Sequence, residues 1–331
     1  MFGFILRRLI AAVVVLILTS FLTFTLFYKG PTNPAAALCQ ERGRCTAEKQ
    51  EALETSMGFN DGLMTNYGRF VGGLFKDRTI SQGATYTCDA PCLGISFRTK
   101  TEVSKDLLTY YPATLSLAIG GGLLYLLIGV PLGVLAARFR GTVFDKVLVG
   151  GALVIGSIPY YVFALTAWIF LTLQTSIFPT TQYVPITEDP TQWFLGLLLP
   201  WLILGITGAP TYARYARGQM LEAMGEDYIR SGKAKGLTQR KLLFKHSLRV
   251  AIVPIVTIFG LDFAALLSGT IFTESIFGIN GIGQWTLTSL RAPTDFPILT
   301  ATILIFAVFV ILGNLVVDLL YAVLDPRVRL T

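Results

Sequence analysis

The chain has 331 residues, of which 53% are hydrophobic and 14% charged, with a formal net charge of +7. Soluble chains of this length carry about a quarter charged residues, so the composition excludes an ordinary soluble domain. The positive balance does not indicate nucleic acid, because no basic stripe interleaved with aromatics lies outside the segments that join apolar runs.

The first apolar run, about Leu9 to Tyr28, follows Arg7 and Arg8. No A-x-A cleavage pattern closes it, since Ala35-Ala36-Ala37 comes several residues too late, so it reads as a retained helix whose N-terminus is inside. Residues 29–106 are polar, with charges of both signs. They are too polar to span and too long for a plain loop, which predicts a small folded extracytoplasmic insert.

All four cysteines, Cys39, Cys45, Cys88 and Cys92, fall in that insert. On an oxidising face this distribution favours disulfides, with the local pairs Cys39–Cys45 and Cys88–Cys92 preferred among three possible pairings. A structural zinc site is the alternative, although C-x5-C and C-x3-C differ from the usual zinc spacings.

Helix two is expected at about Leu107 to Ala137, carrying Gly120-Gly121-Gly122, Gly129 and Pro131. Glycines allow close helix approach in a bilayer, and neighbouring helices satisfy backbone groups freed by proline. Arg138, Arg140 and Lys146 mark a short inside loop, followed by helix three at about Val147 to Leu173. The next loop holds Glu188 and Asp189 without Lys or Arg and is placed outside. Helix four runs from about Phe194 to Tyr212, with Trp193 and Trp201 assigned to the membrane interface. Helix five is expected at about Val250 to Thr273 and helix six at about Ile298 to Leu320, joined by an outside loop from Glu274 to Pro297. Asp318, near the inner end of helix six, reads as structural. Six spans with both ends inside satisfy the distribution of Lys and Arg over the short loops.

Between helices four and five, Arg214 to Arg249 contains nine Lys or Arg against Glu222, Glu226 and Asp227. The pattern suggests two short helices, Gln219 to Gly232 and Gln239 to Leu248, with Gly236 as a C-cap and Thr238 as an N-cap. Composition alone also permits a plain solvated positive-inside loop.

The wording of this segment, "GEDYIRSGKAKGLTQRKLLFKHSLRVAIVPIV" (Gly225 to Val256), resembles the EAA loop of binding-protein-dependent ABC importer permeases, in the version of the dipeptide/oligopeptide/nickel family. Arg230-Ser231-Gly232 stands where the general pattern has Glu-Ala-Ala, while Gly236 keeps the glycine. His246-Ser247-Leu248-Arg249 replaces Ile-x-Leu-Pro. Gly225-Glu226-Asp227-Tyr228, Ala234-Lys235-Gly236 and Pro254 match the peptide-type variant. "YYPATLSLAIGGGLLYLLIGVPLGVLAAR" (Tyr110 to Arg138), "SIPYYVFALTAWIFL", "FTESIFGINGIGQW" and the terminal "DPRVR" are also similar to that family, whose members usually carry Pro-Gly in place of Asn280-Gly281.

The resemblance implies an all-α polytopic membrane protein with six transmembrane helices of the type I ABC importer kind. It implies the B-type permease subunit of a peptide importer, in the inner membrane of a prokaryote with both termini cytoplasmic. The expected divisions are helix one at 1–28, the disulfide-stapled insert at 29–106 and a core permease at 107–331 with a coupling segment at 214–249. Glu226, Asp227, Arg230, Lys233, Ala234, Lys235, Gly236 and Leu237 would meet the ATPase. The implied partners are a second homologous permease subunit, two cytoplasmic ATPase subunits that bind ATP and Mg, an extracytoplasmic substrate-binding protein and membrane lipid.

Asp262 lies inside helix five, and a carboxylate at membrane depth faces a cavity or a partner. It reads either as a contact for the amino group of a peptide in transit or as a structural hydrogen bond; Ser268 is grouped with it on the path. Glu274, Phe277, Gly281 and Gly283 are assigned to an outer gate or binding-protein contact. No G-x-x-x-x-G-K-[ST], H-E-x-x-H or G-x-S-x-G occurs, so neither ATP hydrolysis nor another catalytic role is expected of the chain itself, and the single His246 makes no metal site. The competing readings are a six-helix channel or receptor not driven by ATP, and an importer of nickel chelates, haem or glutathione.

Overall fold

The computed structural model describes residues 2–29, 35–36, 39, 45–57, 61–82, 84–267, 270–291 and 294–324. In chain order these form α1 (Phe2–Tyr28), α2 (Ala47–Ser56), α3 (Leu63–Gly73), β1 (Arg78–Ser81), β2 (Thr85–Cys88), α4 (Val103–Arg138) and α5 (Val143–Ser157). Then come α6 (Tyr160–Gln174), α7 (Pro190–Gly225), α8 (Asp227–Ala234), α9 (Gln239–Leu267), α10 (Ile271–Phe277), α11 (Ile282–Ser289) and α12 (Phe296–Leu324). Five of these helices are long and apolar enough to cross a membrane, or six if α5 and α6, bent by 89° to one another, count as one span. This is a multi-pass membrane protein. The chain groups into two units, Met1–Pro112 with Asn280–Ile311, and Ala113–Ile279 with Leu312–Thr331.

In the first unit, α1 leaves Leu18, Leu22 and Leu26 exposed, as expected of a span facing lipid. Its buried Ser20 donates to Ile17 O and lies 2.7 Å from Tyr67 Oη, which fixes α3 against it. Thr46 caps α2 by accepting from Lys49 N. The strands pair antiparallel with Arg78 opposite Cys88. Disulfides join Cys39 to Cys45 and Cys88 to Cys92. The turn after them is tied to the segment following α11. Asp295 accepts Ser96 Oγ at 2.6 Å and Arg98 N at 3.1 Å, while the Arg98 guanidinium donates to the carbonyls of Thr288 and Arg291. A cation at the C-terminal end of a helix is electrostatically favoured.

The second unit is organised by close contact between α4 and α7. Lipid is as apolar as leucine, so association here relies on tight packing rather than water exclusion. A Cβ on Gly120 would collide with the Trp201 ring, one on Gly129 with Tyr212, and one on Gly133 with the Ala213 carbonyl. From the other side, Gly205 receives Leu124 and Gly208 receives Tyr125. The glycines of both helices therefore act as seats for side chains of the other. α9 meets the end of α12 the same way, Gly260 against Val317 and Gly313 against Ala264.

Several helix limits differ from the sequence reading. The expected helix Gln219 to Gly232 does not exist as one element: Gln219 to Gly225 continues α7, and α8 begins anew after Glu226. The second short helix merges with helix five into α9, through a wide π-helical turn at Leu242–Ser247. Helix three breaks before Pro159, whose ring fixes its own φ and pushes Ile158 into an extended conformation. Trp201 is buried; its indole donates to Ser116 O at 3.0 Å and meets Trp193 edge-on at 5.0 Å.

Candidate functional site

Two features of the second unit carry polar chemistry. The first is the connection from α7 to α9. α8 is only eight residues long and buries Ile229 and Gly232, while Tyr228, Arg230, Lys233 and Ala234 face outward. It stops by a Schellman closure: Gly236 N donates to Lys233 O, Leu237 N donates to Gly232 O, and Gly236 adopts φ +77°. Gly232 is needed for a different reason, since Leu237 and Leu242 both press on it. Thr238 occupies the N-cap position of α9, but its side chain makes no capping bond; only its carbonyl is used, by Leu242 N.

Glu226, Asp227, Lys235 and Leu237 are exposed, with Arg230 3.5 Å from Asp227. Phe244 is also exposed. The segment thus offers a short, stiff helix whose outer surface mixes Tyr228, Leu237 and Phe244 with basic groups. The root of this connection is pinned by a pair absent from the sequence reading, the bidentate ion pair of Arg217 with the buried Asp145 of α5. Nothing local marks that pair, because its members are 72 positions apart.

The second feature is a cavity of about 840 Å³ whose lining includes Tyr125, Tyr160, Thr207, Tyr212, Asp262 and Thr273. Asp262 is half-buried, and Tyr212 Oη donates to its Oδ2 at 2.6 Å. The Tyr125 and Tyr212 rings lie 5.7 Å apart, and Tyr160 Oη is 2.6 Å from Thr273 Oγ1. A carboxylate ringed by phenols and hydroxyls can accept an ammonium group and exchange hydrogen bonds with amides. Among the described residues no group of His, Cys, Asp and Glu could hold a metal ion. Ser268, grouped with Asp262 in the sequence reading, lies outside the described residues.

The residues expected from the sequence to form an outer loop divide between the units. Glu274 is fully buried, accepting Thr114 Oγ1 at 2.8 Å and Thr270 Oγ1 at 3.3 Å, and Phe277 is buried beside it. α10 closes at Gly278, φ +64°, with Ile279 N on Glu274 O. Both side chains face inward, so they set the shape of the segment and offer no surface. In the other unit Gly281 precedes α11 as its N-cap residue, and Gly283 is buried in its first turn.

Residues 129–330 match the family described as "Binding-protein-dependent transport system inner membrane component", and residues 1–118 match its N-terminal companion, a "transport system membrane comp, N-term". The chain is similar to the dipeptide transport system permease protein DppB of Escherichia coli strain K12, 32% identical over 99% of each chain. It is also similar to the probable peptide ABC transporter permease protein y4tP of Sinorhizobium fredii, at 31% identity over 98% of this chain and 99% of that one. Among solved structures, the inward-facing MetNI methionine ABC transporter aligns with TM-score 0.55 and 18% identity, over 66% of this chain and 96% of that one, a likeness of fold.

Proposed function

This chain belongs to the family of binding-protein-dependent transport system inner membrane components, and on that premise we propose that it is the permease of an ATP-driven peptide importer. As a permease it is the non-catalytic membrane subunit. ATP and Mg are bound by separate cytoplasmic ATPase subunits, and substrate is delivered by an extracytoplasmic binding protein.

The observation that carries this reading is the exposed α8, closed by Gly236 and presenting Tyr228, Arg230 and Lys233 between two long helices. It is the coupling helix: its apolar side chains enter a groove of the ATPase, and its cations meet acidic groove residues. A short helix with both ends continued by longer ones transmits a push as a rigid-body movement. Residues 214–249 are then cytoplasmic, residues 29–106 extracytoplasmic, and both termini inside. The cavity around Asp262 is this subunit's share of the path, with Asp262 accepting the peptide ammonium and the phenols serving its amides. α10 caps the path outside, and a second, homologous permease completes it. The names of the two relatives above support peptides as cargo.

The test is reconstitution of the chain with its partner permease, ATPases and binding protein in vesicles. ATP-dependent uptake of a labelled dipeptide is expected, and it should vanish when the permease is omitted. Uptake that ignores ATP, or a chain that fails to co-purify with any ATPase, sinks the proposal.

A further inference from the structure

The first unit holds a separate cavity of about 590 Å³, where the ends of two membrane spans meet the folded insert. The spans Leu6–Tyr28 and Phe296–Val317 both terminate on it, α1 through Phe24, Phe27 and Tyr28, and α12 through Phe296 and Thr300. Its apolar wall is aromatic: Phe27 and Phe296 lie 5.2 Å apart, and Phe24 and Phe70 lie 5.7 Å apart. Aromatic rings at the ends of spans mark the depth at which acyl chains give way to headgroups.

The same lining carries charged side chains, and their charges do not cancel. Three cations, Arg69, Lys76 and Arg78, face two carboxylates: Asp61, which is paired with Arg69, and Asp77, which accepts the Ala90 amide. Among the described residues no carboxylate forms an ion pair with Lys76 or Arg78. Arg78 is half-buried, donates to Cys92 Sγ and Arg69 O, and lies over the Phe70 ring. Burial lowers its pKa from the ordinary arginine value. Gly73 makes room for it, since a Cβ there would strike the Arg78 side chain. A half-buried guanidinium without a counter-ion, at the mouth of an aromatic slot, is a site short of an anion.

We infer that this cavity binds one anionic phospholipid, its phosphate on Arg78 and Lys76 and an acyl chain along Phe24, Phe27 and Phe296. Charge complementarity and the convergence of two span ends select this occupant: the leucines exposed on α1 place bilayer lipid directly beside the opening. The site joins the insert to the membrane surface and does not depend on what the protein transports.

Native mass spectrometry of the full-length chain in detergent tests this, titrating phosphatidylglycerol against phosphatidylcholine. Phosphatidylglycerol should bind more tightly. A basic side chain near the membrane surface contributes about fivefold in affinity for anionic lipid, so Lys76→Gln should lose about fivefold, and Lys76→Gln with Arg78→Gln about 25-fold. Phosphatidylcholine binding should not change. Lys76 is exposed and, among the described residues, in no ion pair, so its single variant reports even if loss of Arg78 disturbs the insert; an intact Cys88–Cys92 bond on non-reducing peptide mapping checks the fold of both. Equal binding of the two lipids, or unchanged phosphatidylglycerol affinity in Lys76→Gln, overturns the inference. Displacement of the lipid by inorganic phosphate would make this a free-anion site, and displacement by a dipeptide a substrate site; either result also overturns it.

Discussion

Arg217 holds Asp145 with two parallel hydrogen bonds, Nε to Oδ1 at 2.6 Å and Nη2 to Oδ2 at 2.8 Å, and Gly141 N adds a third donor at 2.9 Å. The pair ties the first turn of α5 to α7, eight residues before α7 ends. Asp145 is almost fully buried while Arg217 keeps contact with solvent, so the two partners are not equivalent. Removing the arginine strands a buried carboxylate; removing the carboxylate leaves a cation that water can still reach.

Arg217→Ala should therefore destabilise the protein by about 2 kcal/mol, more than Asp145→Asn does. Thermal unfolding of the purified chain reads the difference. The exchanged pair, Asp145→Arg with Arg217→Asp, should recover part of the loss, and a double variant no better than the worse single one contradicts the assignment.

Gly236 has open space around it, and only its left-handed backbone excludes other residues. A β-branched side chain there costs about 1–2 kcal/mol, whereas asparagine tolerates the conformation. Gly236→Val should leave the chain assembled in the membrane yet lower uptake per ATP hydrolysed, and Gly236→Asn should retain most of it. Equal uptake in both variants and the parent would remove α8 from the coupling pathway.

In the cavity, Asp262→Asn keeps the shape and removes the charge. Dipeptide uptake should fall on the order of tenfold, equivalent to about 1.4 kcal/mol. Tyr212→Phe removes one donor from a carboxylate that remains, and should fall less. If a dipeptide with a blocked amino terminus is affected as strongly as a free one, Asp262 does not meet the ammonium group.

Gly133 faces the Ala213 carbonyl and the Ala216 methyl without room for a side chain. Gly133→Leu should push α4 and α7 apart at a cost of roughly 1–3 kcal/mol or more. Reduced membrane yield and a lowered unfolding temperature are the expected readouts. Gly150→Leu, where nothing lies near the added Cβ, serves as the neutral control.

The short Cys88–Cys92 link closes a loop of few residues, and on chain-entropy grounds its removal should cost about 2 kcal/mol. The double serine variant should make the insert more sensitive to protease while α4 to α9 stay protected. Uniform loss of protection along the whole chain would show that the insert and the remaining helices unfold together.

What was legible in the sequence depended on how local its cause is. Gly236 could be read because a helix stop is written within a few residues of itself, and the apolar spans because length alone decides whether a helix crosses a bilayer. The start of α8 is not legible because Glu226 alone breaks the helix, by an extended backbone, with no proline to announce it. The burial of Glu274 was unreadable: its partner Thr114 is 160 positions away, and a glutamate in a loop beside glycines looks solvent-facing until the opposing helix is present. Asp262 was found by the cost of a carboxylate among apolar residues, but Tyr212, which donates to it, carries no comparable signal. A tyrosine within a membrane helix is ordinary on its own.

α7 and α9 leave the two ends of the α8 connection, and each carries one member of the Tyr212–Asp262 hydrogen bond. At about 1.5 Å per residue, Tyr212 lies roughly 20 Å up one rod from Gly225, and Asp262 roughly 35 Å up the other from Gln239. Were the rods to scissor about a point away from this contact, the bond would stretch or slide. If α8 is pushed as proposed, the tyrosine O–H vibration of this pair would give a label-free record of whether the movement reaches Asp262.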